Sequence, residues 1–227
     1  MGDIKVGTRV FGCDGKLHTV TAIFPQGKKP VYEVEFSDHT KTRCSDEHLW
    51  TVRCNLTHSR EYKTLTLNQL LEKPLKVKAK SGALNSRYSV PLCSPLEFKH
   101  QDNFIDPYLF GCLLGDGYIA DSFIKLSGND SELFNECEKL LNVNGYTFSD
   151  YGDGSKGIRH IKHKNIPNKY VVECNRLGVN TTAYYKFIPK TYLYNDISSR
   201  IALLQGLMDT DGNISKQGIC SFTTVSK

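Results

Sequence analysis

Two stretches of this 227-residue chain place an aspartate directly before a glycine at the end of an apolar run: LFGCLLGDGYI, with Asp116 and Gly117, and LQGLMDTDGNI, with Asp211 and Gly212. Both runs read as helices. A helix C-terminus carries partial negative charge, so an acid there is unfavourable unless a cation answers it. Aligned on their ends, Gly111 matches Gly206, Gly115 matches Thr210, and Asp116 matches Asp211, about 95 residues apart, the length of a small domain. Small residues four apart give each helix one smooth face and let two backbones approach closely. If the helices pair about a pseudo-twofold axis, Asp116 and Asp211 meet at one end, where carboxylates repel unless a proton or a divalent cation lies between them. Oxygen ligands favour Mg²⁺, Mn²⁺ or Ca²⁺, and hydrolysis of phosphodiesters is the natural use of such a pair. One Asp-Gly is an ordinary turn after a helix; two copies with matching small residues carry more weight.

The elements that must position these acids fall into two textures. Residues 1–100 read as β-rich: TRVFG, LHTVTAIF, VYEVEF and TKTRCS are short runs of β-forming residues between turn signals, which predict a compact antiparallel fold. Thr66 is placed to cap a short helix at TLNQLLEK. PLKVKAKSGALNSR has four Lys and Arg, no acid and one Gly, and reads as a mobile basic loop, a solvated linker rather than a DNA contact. From residue 101 the pattern is α/β. DPYLFGCLLGD is helical with Pro107 in its first turn. SFIKLSG is a strand. NDSELFNECEKLLNVNG is an amphipathic helix capped by Asn129 or Ser131, with Leu133, Phe134, Cys137, Leu140 and Leu141 on one face. YTFSDYG and GIRHIKHK form a strand pair, PNKYVVECNRLGV is a helix ended by Gly178, AYYKFIPKTYLYN is extended, and ISSRIALLQGLMD is helical again.

Composition narrows the function class. The chain is 39% hydrophobic with 12 Tyr and 11 Phe, enough to bury a core. A net charge of +5 permits a nucleic-acid partner without requiring one. Eight scattered cysteines with no C-x-x-C pair exclude zinc-finger spacing and a disulfide framework, which points to a reducing, cytoplasmic compartment. No signal peptide and no run of membrane-spanning length is present, so no membrane partner is expected.

The two acid-tipped motifs resemble those of the LAGLIDADG (DOD-type) homing endonucleases. LQGLMDTDG, residues 204–212, matches six of the nine signature letters, and LFGCLLGDG, residues 109–117, is similar to the looser form found in intein-borne members. The resemblance implies an αββαββα repeat, catalytic metal binding by Asp116 and Asp211 with Mg²⁺ or Mn²⁺ as cofactor, and a structural role for Asp209. YKFIPKTY resembles the block before the second motif, which implies that Lys186 positions or activates water. It implies a monomer reading a long, non-palindromic DNA duplex with its strands in the major groove. Lys125, Lys156, Arg159, His160, Lys162 and Lys164 would then contact DNA, chiefly its phosphates.

The first hundred residues resemble the Hint domain of inteins. The most specific piece is CSDEHLW, where Ser45-Asp46-Glu47-His48 is similar to the Thr-x-x-His block. The resemblance implies that His48 polarises the scissile amide and protonates its leaving nitrogen, with Ser45 assisting through a hydrogen bond. The expected organisation is a partial Hint domain with a basic linker over 1–100 and an incomplete endonuclease domain over 101–227. Met1 stands where splicing needs Cys or Ser, no C-terminal His-Asn is present, and 15 residues follow Gly212. The expectation is therefore an intein fragment that does not splice alone and cleaves weakly. A split-intein piece needing a partner chain and an inactive DNA-binding remnant are the alternatives, and the presence of both acids speaks against the second. Family habit points to a phage terminase or a replicative helicase as host.

Overall fold

The computed structural model describes residues 3–57, 59–163 and 166–226, and it divides the chain into two units, 1–96 and 97–227. All strand pairs among the described residues are antiparallel.

The first unit contains β1 (Arg9–Phe11), β2 (Leu17–Thr19), β3 (Val31–Glu35), β4 (Lys41–Ser45), β5 (Leu49–Cys54), β6 (Lys63–Thr66), helix α1 (Leu67–Leu71), β7 (Lys76–Lys78), β8 (Leu84–Ser86) and β9 (Tyr88–Ser89). They form four small sheets, β1-β2, β3-β4, β6-β5-β9 and β7-β8. Thr66 does cap α1, in a capping box with Gln69. The core is thin: Cys44, Val52, Leu67 and Leu70 are buried, whereas Phe24, Val31, Leu49 and Leu92 are exposed. The expected strand LHTVTAIF shrinks to three residues because no strand among the described residues pairs with its second half. The supposed basic loop is a hairpin, β7-β8, turned by Gly82 at φ 86°.

The second unit contains α2 (Pro107–Gly115), β10 (Gly117–Ile119), β11 (Ile124–Ser127), α3 (Ser131–Val143), β12 (Tyr146–Asp150), β13 (Ser155–His160), α4 (Lys169–Leu177), a 3₁₀ turn (Ala183–Tyr185), α5 (Lys190–Leu193), α6 (Ile197–Asp211), β14 (Gly212–Ile214) and β15 (Cys220–Phe222). Strands β10-β11-β13-β12 make one sheet and β14-β15 a second hairpin. α2 starts at Asp106, whose Oδ1 accepts from the Tyr108 amide at 2.8 Å, with Pro107 in the first turn. From Leu109 to Leu114 every residue of α2 is buried, so this is the central helix and not an amphipathic one. α3 lays Leu133, Phe134, Cys137 and Leu141 on the core, and its cap is Asp130, not Asn129 or Ser131. α4 ends at Gly178 with φ 73°. The stretch expected to be extended over 183–195 instead holds the 3₁₀ turn and α5. Pro189 sets the entry to α5, whose Tyr192 is buried and stacks on Phe110 with ring centroids 4.2 Å apart.

The N-terminus of α6 is pinned to the beginning of this unit. Buried Asn195 exchanges two 2.8 Å hydrogen bonds with the backbone of Gln101. The α6 cap Asp196 also meets His100, whose other ring nitrogen lies 3.2 Å from Asp102. Asp196, and secondarily Asp102, hold the His100 pKa above its ordinary 6.5; the Ser199 amide, the Ser198 hydroxyl and His100 hold the Asp196 carboxyl below its ordinary 3.8. A raised histidine pKa gives stability that is full below 6.5 and lost as pH rises through the folded value. A lowered carboxyl pKa gives stability that is full above 3.8 and lost as pH falls below it. The clamp is therefore strongest between about pH 4 and 6. In His100→Asn, the melting temperature should fall below that of the parent chain at pH 5, and the gap should close towards pH 8. A gap independent of pH would sink this account.

Candidate active site

α2 and α6 cross with their backbones in contact, and the contact is reciprocal. A Cβ built on Gly111 would stand 2.3 Å from the Leu203 carbonyl oxygen and 2.9 Å from the Leu207 nitrogen. A Cβ on Gly206 would stand 2.1 Å from the Tyr108 oxygen and 2.9 Å from the Cys112 nitrogen. Each glycine sits against the residues that correspond to those facing the other, as a pseudo-twofold axis between the helices requires. Gly115 faces Thr210 in the same way, 2.1 Å from its Oγ1. Beyond each helix the pattern repeats: Gly117 packs on Leu113 O and Gly212 on Met208 O. The Asp116 backbone oxygen accepts from Ser127 N at 3.2 Å, and the Asp211 backbone oxygen accepts from Thr223 N at 3.3 Å. The hairpins differ by one residue, with Gly117 opposite Leu126 and Gly212 opposite Phe222.

This geometry brings Asp116, Asp211 and Lys186 together. Asp116 closes α2 and Asp211 is the last residue of α6, its Oδ2 only 3.4 Å from where a side chain on Gly115 would begin. Burial, and then the charge of Asp211, push the Asp116 carboxyl above its usual range, against the opposing pull of Lys186. Asp116 thus faces a like charge that Lys186 answers only in part. Among the described residues no third Asp, Glu, His or Cys joins them. A small hard cation suits this set, because it keeps waters and takes phosphate oxygens for the rest of its shell. A cleft of about 680 Å³ opens beside the pair, lined in part by Leu114, Lys186, Phe187, Asp211 and Thr223.

Lys186 has a specific task that its sequence position does not reveal. Its ammonium donates to the carbonyl oxygens of Leu114 at 2.9 Å and Gly117 at 2.6 Å, and lies 3.2 and 3.3 Å from those of Leu113 and Gly115. It is the cationic cap of α2, answering the orphan carbonyls and the negative helix end directly beneath Asp116. Burial lowers its pKa, and the two aspartates oppose that shift. Lys186→Met leaves those carbonyls unanswered and should cost about 2 kcal/mol. Lys186→Arg should not restore it, since a planar fork cannot converge on four oxygens. Chemical denaturation of the three chains checks this; a neutral Lys186→Met would overturn the capping role.

Asp209 faces the other flank of α6. Its Oδ2 accepts from the Tyr108 hydroxyl at 2.8 Å, a side-chain tie between α6 and α2, and it lines a separate cleft with Asp130 and Glu136.

The basic set divides between the two faces of the sheet. Lys125 pairs across the strands with Tyr118 and Gly157, and Arg159 with Thr147, on the face away from the helices. Lys125 Nζ lies 4.3 Å over the Tyr151 ring and 3.8 Å from Asp153. Lys156 and His160 alternate with these and point to the helix side: Lys156 lies 4.3 Å over Phe134, and His160 packs edge-on against Tyr146 at 4.9 Å. Lys162 follows the strand, where His160 Nδ1 accepts from the Lys162 and His163 amides and turns the chain. Lys164 lies outside the described residues. Sequence reasoning missed the exposed aromatics of the open face, Tyr118, Phe123 and Tyr151, although Tyr118 directly follows the first Asp-Gly.

Ser45 and His48 occupy one turn of the first unit, closed by a 3.2 Å bond from His48 N to Ser45 O. The exposed His48 ring meets Trp50 edge-on at 5.3 Å. The Ser45 hydroxyl makes no hydrogen bond among the described residues, so the expected assistance to His48 is not formed here.

With this geometry in hand, comparison with known proteins adds one relation. The chain is 25% identical to the replicative DNA helicase DnaB of Mycobacterium intracellulare, in an alignment that covers all of this chain and 37% of the helicase. No protein-family model matches the chain. No helix among the described residues is long and apolar enough to cross a membrane.

Proposed function

We propose that the chain is intein-like, with a Hint-type first unit and a second unit that is a site-specific, metal-dependent endonuclease for double-stranded DNA, set in a replicative helicase as host. The observation that carries this is the reciprocal glycine contact between α2 and α6, which delivers two carboxylates to one point. The partial likeness to a helicase supports an inserted segment, since all of this chain aligns within a minor part of that protein. Asp116 and Asp211 would hold Mg²⁺ or Mn²⁺. When bound, the metal polarises a phosphoryl oxygen and makes water a stronger nucleophile. Lys186 holds the backbone under Asp116. Lys125 and Arg159 on the open sheet face meet phosphates. In the first unit, His48 would donate to the scissile amide of the splice junction, with Trp50 fixing its ring. The working form is a monomer, because both acids come from one chain.

The test is to incubate the full chain with a supercoiled plasmid carrying an uninterrupted replicative helicase gene. Mg²⁺-dependent nicking or linearisation at one place is expected, however slow, and should be absent in EDTA and absent when the gene already contains the insert. Neither binding nor cleavage at any Mg²⁺ or Mn²⁺ concentration would overturn the proposal. Binding without cleavage would favour a DNA-binding remnant.

A further inference from the structure

Charge is unevenly shared between the units. Residues 1–96 carry 15 Lys and Arg against nine Asp and Glu, whereas residues 97–227 carry 14 against 15. The unit with the acid pair therefore has no net positive charge, although affinity for a duplex rests mainly on neutralising its phosphates. Within the first unit the excess concentrates in one place. From Lys73 to Leu96 there are five Lys and Arg and no acid.

These cations stand on a firm ribbon. β7 and β8 pair with Lys76 opposite Ser86, Val77 opposite Asn85 and Lys78 opposite Leu84. Lys76 and Lys78 thus share one face, and neither has an acid across from it. Lys80 lies in the turn, which the Ala79 and Gly82 amides close at 2.8 and 2.9 Å. The root is held by Arg87: its amide donates to Leu75 O and its Nε to Pro74 O, both at 2.7 Å. Asn55 at the end of β5 ties it further, its amide to Arg87 O at 2.8 Å and its side chain to Ser86 O at 3.1 Å. Among the described residues Lys73, Lys78 and Lys80 form no ion pair, and Lys76 acts only through its field on Glu35.

We infer that the β7-β8 ribbon is a second DNA contact, with Lys76, Lys78 and Lys80 on the phosphates of a duplex. A two-stranded ribbon fits the major groove, and these lysines are free to give up their counter-ions. Lysines on exposed strand edges also serve to block edge-to-edge association. That role accounts for Lys76 and Lys78, but not for Lys80 in the turn or for the missing charge of the second unit. The inference rests on the proposed DNA function and extends it to the first unit.

The experiment measures binding of the full chain to a fluorescein-labelled duplex of about 30 base pairs and arbitrary sequence, by anisotropy, over roughly 50 to 200 mM KCl. The parent chain, Lys76→Gln/Lys78→Gln/Lys80→Gln and the corresponding triple Arg variant are compared. The plot of log affinity against log salt should lose about 2 to 3 units of slope in the Gln variant and keep its slope in the Arg variant. Circular dichroism and melting temperature should match in all three, since the lysines are exposed. A parent chain that binds with an unchanged slope in the Gln variant overturns the ribbon contact and leaves the endonuclease proposal standing. A parent chain that binds no duplex at low salt overturns both.

Discussion

Gly206→Val should lower the melting temperature by about 6–12 °C, the effect of roughly 3 kcal/mol on a chain of this size. Two opposing effects decide the sign. A residue with a Cβ in mid-helix gains up to about 1 kcal/mol over glycine in propensity, somewhat less for valine. Against this, the first side-chain atom would stand 2.1 Å from the Tyr108 oxygen and 2.9 Å from the Cys112 nitrogen. Both are backbone atoms of α2 and cannot rotate away, so the helices must part and open the core around Phe110 and Leu113. Gly111→Val should cost a similar amount, because its obstacles are the corresponding atoms of α6. The double variant should cost less than the sum, since one separation relieves both clashes. Gly115→Ala should be milder, because its neighbour is the Thr210 side chain. A stabilised Gly206→Ala would show that the helices do not meet as described.

The second large effect concerns the acids, where stability and activity should move in opposite directions. Burial and the charge of Asp211 hold the Asp116 pKa above its ordinary value. A raised carboxyl pKa means that the folded chain loses stability as pH rises through it, so the ionised pair is a cost at neutral pH. In chelator at pH 7, Asp116→Asn should therefore melt at a higher temperature than the parent. With Mg²⁺ the order should reverse: the parent gains stability by mass action, and the variant gains little. Nicking should fall at least about 10³-fold in Asp116→Asn and Asp211→Asn, corresponding to some 4 kcal/mol of lost charge stabilisation. Asp209→Asn provides the contrast. It weakens the tie to Tyr108 on the other flank and should cost stability with little change in metal response. Equal losses in all three variants would remove the distinction between the acids.

The letters carried some features and not others, for physical reasons. The pairing of α2 with α6 was legible because close helix approach needs small residues four apart, and Gly111, Gly115, Gly206 and Thr210 display that spacing openly. The caps at Thr66 and Gly178 were legible because capping is local. The two faces of β13 were not, because Gly157 interrupts the alternation; it is small so that the Tyr151 ring can lie on it, a contact made across the turn. The partners of Lys186 were hidden because they are backbone oxygens, which any sequence supplies. The 76–86 ribbon is hidden in the letters because lysines and one glycine look alike in a linker and in a hairpin. α5 was missed because its helical turn depends on Tyr192 finding Phe110, far away in the chain.

The reciprocal contact between Gly111 and Gly206 also has a meaning in time. Helices so distant in the chain close late, since long-range pairs must first overcome the entropy of the loop between them. During synthesis at about 5–20 residues per second, α2 leaves the ribosome on the order of 5–20 s before α6. Throughout that interval Asp116 has no partner, and the α2 face around Gly111 has nothing to pack on. If the proposed cleavage is right, a newly made chain cannot act on the DNA around it until α6 arrives, and the glycine pair is the timer.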